Sequence, residues 1–199
     1  MTQSMDFFYF PASTDTYLTV NRIAALAAKS QITVRWRPYN LRAILRETGV
    51  VPYPAGTAKS RYMWKVLARQ AAIRGIAFPP TPPPYPSDPE LLNLRMALVA
   101  DEQGWVEEYT GAAFRSWFMD HKPPGMDGNM QLLLHKIGRD PEALLARANS
   151  EDIAARVNET AVVARELGLF GSPMFKVGDE LFWGDDRLET AVAWAQRSA

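Results

Sequence analysis

The sequence predicts an α/β protein in which the two ends of the chain build one sheet around an all-helical insertion. Residues 5–38 read as strand, helix and strand, and the part after Pro173 reads as strand, strand and helix. The stretch between them carries helical patterns. We therefore expect residues 1–55 and 151–199 to form one α/β domain, with residues 56–150 inserted into it as a helical domain.

The opening segment predicts parallel strands. Met5 to Phe10 is a short apolar and aromatic run, typical of a buried strand. Ser13 is a good N-cap for a helix that we expect to run to about Ser30. Residues 32–38 alternate in polarity and predict a second strand. A strand, helix and strand in this order are expected to form a right-handed crossover.

The central segment predicts a series of helices. Short and long helices are expected at 41–48 and 59–74, each ended by a glycine. Asp140 with Pro141, and Ser150, are clear helix starts. Helices are expected at 89–102, 104–119, 127–137, 140–148 and 151–167.

A proline-rich segment interrupts these helices. Residues 78–89 hold seven of the fifteen prolines. They could serve as a polyproline ligand for another protein. We favour a stiff connector into a helix that is capped by Asp88 and has Pro89 at its first position.

Composition excludes several classes of function. Lys+Arg and Asp+Glu number 22 each, so nothing indicates nucleic acid or an anionic membrane as partner. The absence of cysteine excludes disulfides, a Cys-x-x-Cys redox centre and a cysteine nucleophile. With two histidines, a His-rich metal site is not expected. No apolar run is long enough to span a bilayer and no signal peptide precedes Asp6, so we expect a cytoplasmic protein.

The segment 168–188, GLFGSPMFKVGDELFWGDDRL, carries the most specific pattern. It resembles the G-[VS]-P-x-F…G-[ED]-x-[FW]-W-G-x-D-R-L pattern of 2-hydroxychromene-2-carboxylate isomerases and kappa-class glutathione transferases. A generic hairpin followed by a helix is the alternative, with Asp186 and Glu189 spaced as an acidic capping box. The matching positions are Gly171, Pro173, Phe175, Trp183, Gly184, Asp186, Arg187 and Leu188.

A second motif of the same families lies at the start of the chain. The pattern D-F-x-F-D-x-x-S-P-[YF]-S-Y-L is matched at Asp6, Phe7, Ser13, Tyr17 and Leu18. The resemblance places Ser13 at the serine that activates a bound thiol. A serine hydroxyl that donates to sulfur lowers the pKa of the thiol. The alternative is that Ser13 only caps the helix.

The resemblance implies a thioredoxin-like βαβ…ββα fold, a glutathione cofactor and a homodimer. The bond before Pro173 is then cis, and the backbone of Ser172 pairs with the cysteinyl unit of glutathione. Asp186 accepts from the glutamyl ammonium, with Arg187 beside it. Lys59, within a match to P-x-K-x-x-Y-M, is expected near the site.

Departures from the family patterns affect the substrate more than the fold. Phe10 replaces an acidic residue, Thr14 a proline and Asp15 an aromatic residue. Asp15 would oppose a nearby thiolate. Val50 replaces an asparagine that helps to hold glutathione, so that contact is expected to be absent.

The leading interpretation is a glutathione-dependent isomerase of the 2-hydroxychromene-2-carboxylate isomerase type, acting on an aromatic-derived conjugated substrate. The alternatives are a kappa-type glutathione transferase or peroxidase, and a non-catalytic thioredoxin-like peptide-binding module. Four aromatic residues are expected to line an apolar substrate pocket, although each alone is commonly part of a core: Phe8, Trp36, Trp64 and Phe78.

Overall fold

The computed structural model describes residues 3–51, 54–126 and 128–197, and contains four strands and ten helices in that part of the chain. The strands are β1 (Ser4–Tyr9), β2 (Thr33–Pro38), β3 (Met174–Val177) and β4 (Glu180–Trp183). The helices are α1 (Thr16–Val20), α2 (Ile23–Ser30), α3 (Leu41–Thr48), α4 (Ala58–Arg74), α5 (Leu92–Glu102), α6 (Val106–Phe118), α7 (Asn129–Lys136), α8 (Pro141–Ala148), α9 (Glu151–Glu166) and α10 (Leu188–Arg197). A 3-10 turn, Asp185–Arg187, precedes α10.

Strands from both ends of the chain form one sheet with the order β2-β1-β3-β4. β1 is parallel to β2 and antiparallel to β3, and β3 and β4 form a hairpin. The register places Phe7 between Trp36 and Phe175. Its ring stacks on Phe175 at 5.7 Å and meets Trp36 edge-on at 5.0 Å between ring centroids. The predicted thioredoxin-like βαβ…ββα sheet is confirmed.

Helices cover both faces of the sheet because successive strand side chains point to opposite faces. Phe7 and Phe175 pack into a core with α1, α2, α10 and Phe118 of α6. Phe8 and Met174 pack on the other face, against α3, α5 and α9. A third apolar cluster lies among α5, α6, α7 and α8. The sequence 56–150 therefore contributes helices to the sheet core and also has a core of its own.

The single helix expected from Ser13 to Ser30 is wrong in two respects. Two helices, α1 and α2, occupy this stretch, and Arg22 between them leaves the helical backbone with φ −139°. The Arg22 side chain instead reaches Asp185 and Glu189, far along the chain. Ser13 does not cap α1: the N-cap position is Asp15, and the Ser13 hydroxyl donates to the carbonyl oxygen of Ser172.

The proline-rich segment runs as a connector from α4 to α5, as expected. Pro79 and Pro83 are buried, and the Pro84 carbonyl accepts from Trp117 Nε1 at 2.8 Å. The next helix begins at Leu92, not at residue 89, because Leu91 adopts a left-handed conformation with φ 58°.

Asp88 still satisfies the first amides of α5. Its carboxylate accepts from the backbone N–H groups of Asn93 at 2.9 Å and Leu94 at 3.2 Å. The other expected helices agree with the structure to within a few residues, and Asp127, at the expected start of α7, lies outside the described residues.

Two kinds of feature are absent from the described residues. No helix there has both the length and the apolar character needed to cross a membrane. The same residues contain no group of three or more His, Cys, Asp or Glu side chains arranged to hold a metal ion.

Candidate active site

A cleft of about 720 Å³ lies between α4 and the loops at one end of the sheet. It brings together four of the six predicted site residues, namely Lys59, Ser172, Pro173 and Asp186. Ser13 and Arg187 are not among its lining residues. The rest of the lining consists of Asp15, Leu18, Ala58, Tyr62, Met63, Val66, Leu67, Gln70, Arg74, Trp183, Gly184 and Asp185.

The loop before β3 places Ser172 and Pro173 in this cleft, with a cis bond between them. The Ser172 side chain is buried, and its hydroxyl oxygen accepts from the backbone N–H of Phe10 at 2.8 Å. The same oxygen lies 2.7 Å from Thr16 Oγ1. Ser172 therefore joins the end of β1, the start of α1 and the loop before β3 at one buried point.

Ser13 lies beside this point. Its Oγ donates to the carbonyl oxygen of Ser172 at 3.2 Å, and the residue is half-buried. A hydroxyl has one hydrogen and rotates to suit its partners. The Ser13 hydroxyl can therefore serve another acceptor placed near Ser172 only by giving up this bond.

Gly171 is explained by the close approach of Trp183. A Cβ atom on Gly171 would lie 2.8 Å from Cδ1 of Trp183, closer than real Cβ contacts come. The Gly171 carbonyl also accepts from the hydroxyl of Tyr39. Trp183 is 58% exposed and meets Phe170 edge-on at 5.1 Å, so an aromatic surface borders the cleft.

Asp185 is the centre of a charged cluster that sequence reasoning missed. Its carboxylate accepts from Thr19 Oγ1 at 2.9 Å and from Arg22 Nε at 3.0 Å. Arg74 of α4 approaches the other carboxylate oxygen at 3.4 Å. The cluster ties the junction of α1 and α2, helix α4 and the 3-10 turn to one another.

Two opposing effects act on the pKa of Arg22 in this cluster. Burial lowers the pKa of the guanidinium, but hydrogen bonds to Glu189 and Asp185 outweigh burial and leave the pKa above its usual value. No signal of local spacing links these residues, since Arg22 and Asp185 are 163 positions apart.

The capping box expected from Asp186 and Glu189 is wrong. Asp186 lies inside the 3-10 turn, where its carboxylate pairs with Arg187 at 3.2 Å and is 67% exposed. Glu189 is occupied by Arg22. Asp186 thus presents its carboxylate at the border of the cleft.

Asp15 lines the cleft with a carboxylate that has no hydrogen bond or ion pair to the residues that the structure describes. Its side chain is accessible to water, yet the walls of the cleft surround it. Desolvation by these walls and, to a smaller extent, repulsion from Asp185 raise the pKa of Asp15 to about 6.

The apolar pocket expected from Phe8, Trp36, Trp64 and Phe78 is wrong for this cleft. Phe8 and Trp36 point from strands into the two cores and are 7% and 6% exposed. Trp64 packs on Phe78 at 4.6 Å between ring centroids, beside the sheet core. The apolar surface of the cleft comes instead from Tyr62, Met63, Val66, Leu67 and Trp183.

Comparison with known proteins gives a family model and similar full-length chains. The sequence model of the DSBA-like thioredoxin domain matches residues 5–193. A 2-hydroxychromene-2-carboxylate isomerase of Sphingobium xenophagum is 25% identical over 192 residues, covering 95% of this chain and 96% of that protein.

Two solved structures show the same fold. A 2-hydroxychromene-2-carboxylate isomerase superposes with a TM-score of 0.85 at 24% identity, covering 98% of this chain and 95% of that chain. The cytosolic disulfide reductase DsbM of Pseudomonas aeruginosa, solved with GSH, has a TM-score of 0.68 at 16% identity and covers 98% and 96% of the two chains. The resemblance of the chain to the 2-hydroxychromene-2-carboxylate isomerases is confirmed.

Proposed function

Since this chain belongs to the DSBA-like thioredoxin domain family, we propose that it is a glutathione-dependent isomerase of the 2-hydroxychromene-2-carboxylate isomerase type. One observation supports this more than any other. A single cleft combines the Ser172–Pro173 backbone edge with an apolar wall formed by α4 and Trp183. We propose that a peptide thiol and an aromatic substrate lie side by side in this cleft.

The residues around this edge suit a tripeptide with one ammonium group and two carboxylates. The backbone of Ser172 would pair with the cysteinyl unit. Asp186, exposed at the border of the cleft, would accept from the glutamyl ammonium, with Arg187 beside it. Lys59 lines the same cleft and would attract a carboxylate.

Glutathione, when bound, supplies a thiolate that adds to a conjugated double bond, permits rotation about it and then leaves. Ser13 would stabilise the negative sulfur by turning its hydroxyl from the Ser172 carbonyl towards it. Asp15 acts in the opposite sense when ionised, because a like charge in the cleft raises the pKa of a thiol.

The wall of α4 would hold the substrate. Tyr62, Met63 and Val66 of α4 line the cleft, and so does Trp183 at the end of β4. Tyr62 and Trp183 are 65% and 58% exposed, so part of each ring is available to a planar substrate.

The decisive experiment is conversion of 2-hydroxychromene-2-carboxylate with and without glutathione, followed by ultraviolet absorbance. We expect turnover only with glutathione, and a lower kcat/KM for Trp183→Ala. Absence of glutathione-dependent turnover, together with saturable glutathione quenching of the six tryptophans, would favour the peptide-binding alternative.

One observation keeps that alternative open as a second candidate. The Ser13 hydroxyl already has an acceptor in Ser172, and Asp15 places a carboxylate where a thiolate would lie close by. A module that binds a peptide backbone at Ser172 needs neither a free hydroxyl nor a thiolate.

We also propose a cytoplasmic homodimer with residues 56–150 as its helical insertion domain. The motif resemblance supports the dimer, and the separate apolar cluster among α5 to α8 supports the domain division.

A further inference from the structure

Asn93, in the first turn of α5, connects the helical insertion to the loop that carries Ser13. The side chain is buried, with 1% exposure. Its Nδ2 donates to the carbonyl oxygen of Pro11 at 3.0 Å, and its Oδ1 accepts from the Tyr109 hydroxyl at 2.7 Å. A carbonyl oxygen can only accept, so the amide orientation is fixed by Pro11.

Asn93 is itself held firmly. Its backbone N–H donates to Asp88 Oδ1 at 2.9 Å, and Tyr109 is fully buried. Gly125 lies directly against Asp88, and a Cβ on Gly125 would come within 2.7 Å of the Asp88 Cα. Because its neighbours are fixed, the amide of Asn93 can define the position of the group that it binds.

The loop from Phe10 to Ser13 is thus held on two sides. On one side Ser172 accepts from the Phe10 N–H at 2.8 Å and from the Ser13 hydroxyl at 3.2 Å. On the other side Asn93 holds Pro11, two residues before Ser13. Without the Asn93 bond, the loop keeps its apolar packing against α5 but loses the hydrogen bond that fixes the Pro11 carbonyl.

We propose that Asn93 is a positioning residue, which sets where the Ser13 hydroxyl meets the thiol sulfur by fixing the Pro11 carbonyl. This inference rests on the proposed role of Ser13. Asn93 itself touches neither thiol nor substrate. Alanine cannot donate to Pro11, and aspartate keeps the shape while placing an oxygen against the Pro11 carbonyl.

The test compares Asn93→Ala and Asn93→Asp with Thr110→Val. Thr110 of α6 is also buried, and its Oγ1 makes a 2.6 Å hydrogen bond to Tyr9, so its valine variant also removes one buried bond between the helices and the sheet. Thr110→Val leaves the Ser13 loop untouched and controls for lost stability.

We expect both Asn93 variants to lower the glutathione-dependent kcat about tenfold, the effect of one misplaced hydrogen bond. The KM for glutathione should stay within about twofold, because the tripeptide contacts of Ser172 and Asp186 are unaltered. The ultraviolet titration of bound thiolate should move to higher pH. Thr110→Val should leave kcat and the titration unchanged.

A double-mutant cycle distinguishes an effect on the position of the Ser13 hydroxyl from a general loss of stability. In a Ser13→Ala background, Asn93→Ala should have no further effect on kcat. A further tenfold loss of kcat in the double variant would overturn the inference. A wild-type thiolate titration in the single Asn93 variants would overturn it as well. If Asn93→Ala does not fold, the Asn93→Asp variant decides the question. If Ser13→Ala itself keeps the wild-type rate, the proposed function of Ser13 has failed, and the Asn93 inference fails with it.

Discussion

The Ser13 hydroxyl donates to the carbonyl oxygen of Ser172, the residue whose backbone is expected to hold the cysteinyl unit of glutathione. At 3.2 Å this bond is longer than the usual distance of about 2.7–2.8 Å between hydroxyl oxygens and their acceptors. A charged sulfur beside Ser172 is a stronger acceptor than a neutral carbonyl. Ligand binding and redirection of the Ser13 hydroxyl are therefore linked at one position.

Ser13→Ala should lower the glutathione-dependent rate and barely change the affinity for glutathione. A hydrogen bond to a charged group contributes about 1.5–3 kcal/mol, or about tenfold to a hundredfold in rate. The variant should recover activity as pH rises, because solvent base then forms the thiolate. The check is thiolate absorbance against pH; an unmoved titration with an intact rate would make Ser13 purely structural.

Asp15→Asn should stabilise the protein at pH 7.5 and change little at pH 4. The folded pKa of about 6 lies above the usual 3.8, so the folded state binds the proton more tightly. The stability gained from protonation of Asp15 is fully present below pH 3.8 and is lost as pH rises through 6. The thermal midpoint at the two pH values measures it.

The charges that share the cleft with Asp15 are Asp185, Asp186, Lys59 and Arg74. Asp186→Asn, which removes one negative charge from an exposed neighbour, is the control. Asp15→Asn should also move the bound-thiolate titration to lower pH, opposite to Ser13→Ala. Equal midpoints for wild type and Asp15→Asn at pH 7.5 would contradict the raised pKa of Asp15 in the folded protein.

Asp185→Ala should destabilise the fold by about 3 kcal/mol, because it removes the shared partner from a largely buried charge cluster and leaves Arg22 with Glu189 alone. Arg22 and Arg74 both lose their contact with this carboxylate. Urea unfolding gives the free energy. Asp186→Ala, next in sequence but 67% exposed, should stay within about 0.5 kcal/mol of wild type. Similar losses in the two variants would show that the cluster adds nothing.

Gly171→Ala should displace Trp183 and weaken glutathione binding. The new methyl group has no room beside the indole ring, and overpacking of this kind costs about 1–3 kcal/mol. Gly111→Ala in α6 is the matched control, because a Cβ there meets nothing within 4 Å. Tryptophan fluorescence and glutathione titration measure both effects; wild-type binding by Gly171→Ala would refute the steric explanation.

The protein should be a homodimer at micromolar concentration, as the motif resemblance implies. Multi-angle light scattering measures the molar mass directly, against 22.3 kDa for one chain. A single species of that mass would contradict the proposal.

The local sequence predicted the helix starts well, but it did not predict contacts between residues that are distant along the chain. Asp140 accepts from the Glu142 N–H at 3.0 Å and Ser150 from the Ile153 N–H at 3.4 Å, so both caps follow from neighbouring residues. Ser13 has the same local signature, but its hydroxyl binds Ser172, 159 positions away. A capping residue with a distant competitor cannot be recognised from its own neighbourhood.

The candidate site shows the same difference between local signals and long-range contacts. Four cleft residues belong to motifs that sequence resemblance located: Lys59, Ser172, Pro173 and Asp186. Asp185 stands inside the same motif, yet its importance comes from Arg22 and Arg74, which belong to other parts of the chain. Asn93 carries no local signal at all, because its partners lie in a loop and in α6.

The position of β1 between β2 and β3 has a consequence for synthesis of the chain on the ribosome. β1 pairs with β3 along the edge away from β2, and β3 begins only at Met174. Until that residue emerges, the first two strands expose an unpaired aromatic edge, the kind of surface that templates association between chains. The helices between β2 and β3 can form locally before Met174 emerges. Nascent chains that stall before Met174 should therefore depend on chaperones far more than the completed protein does.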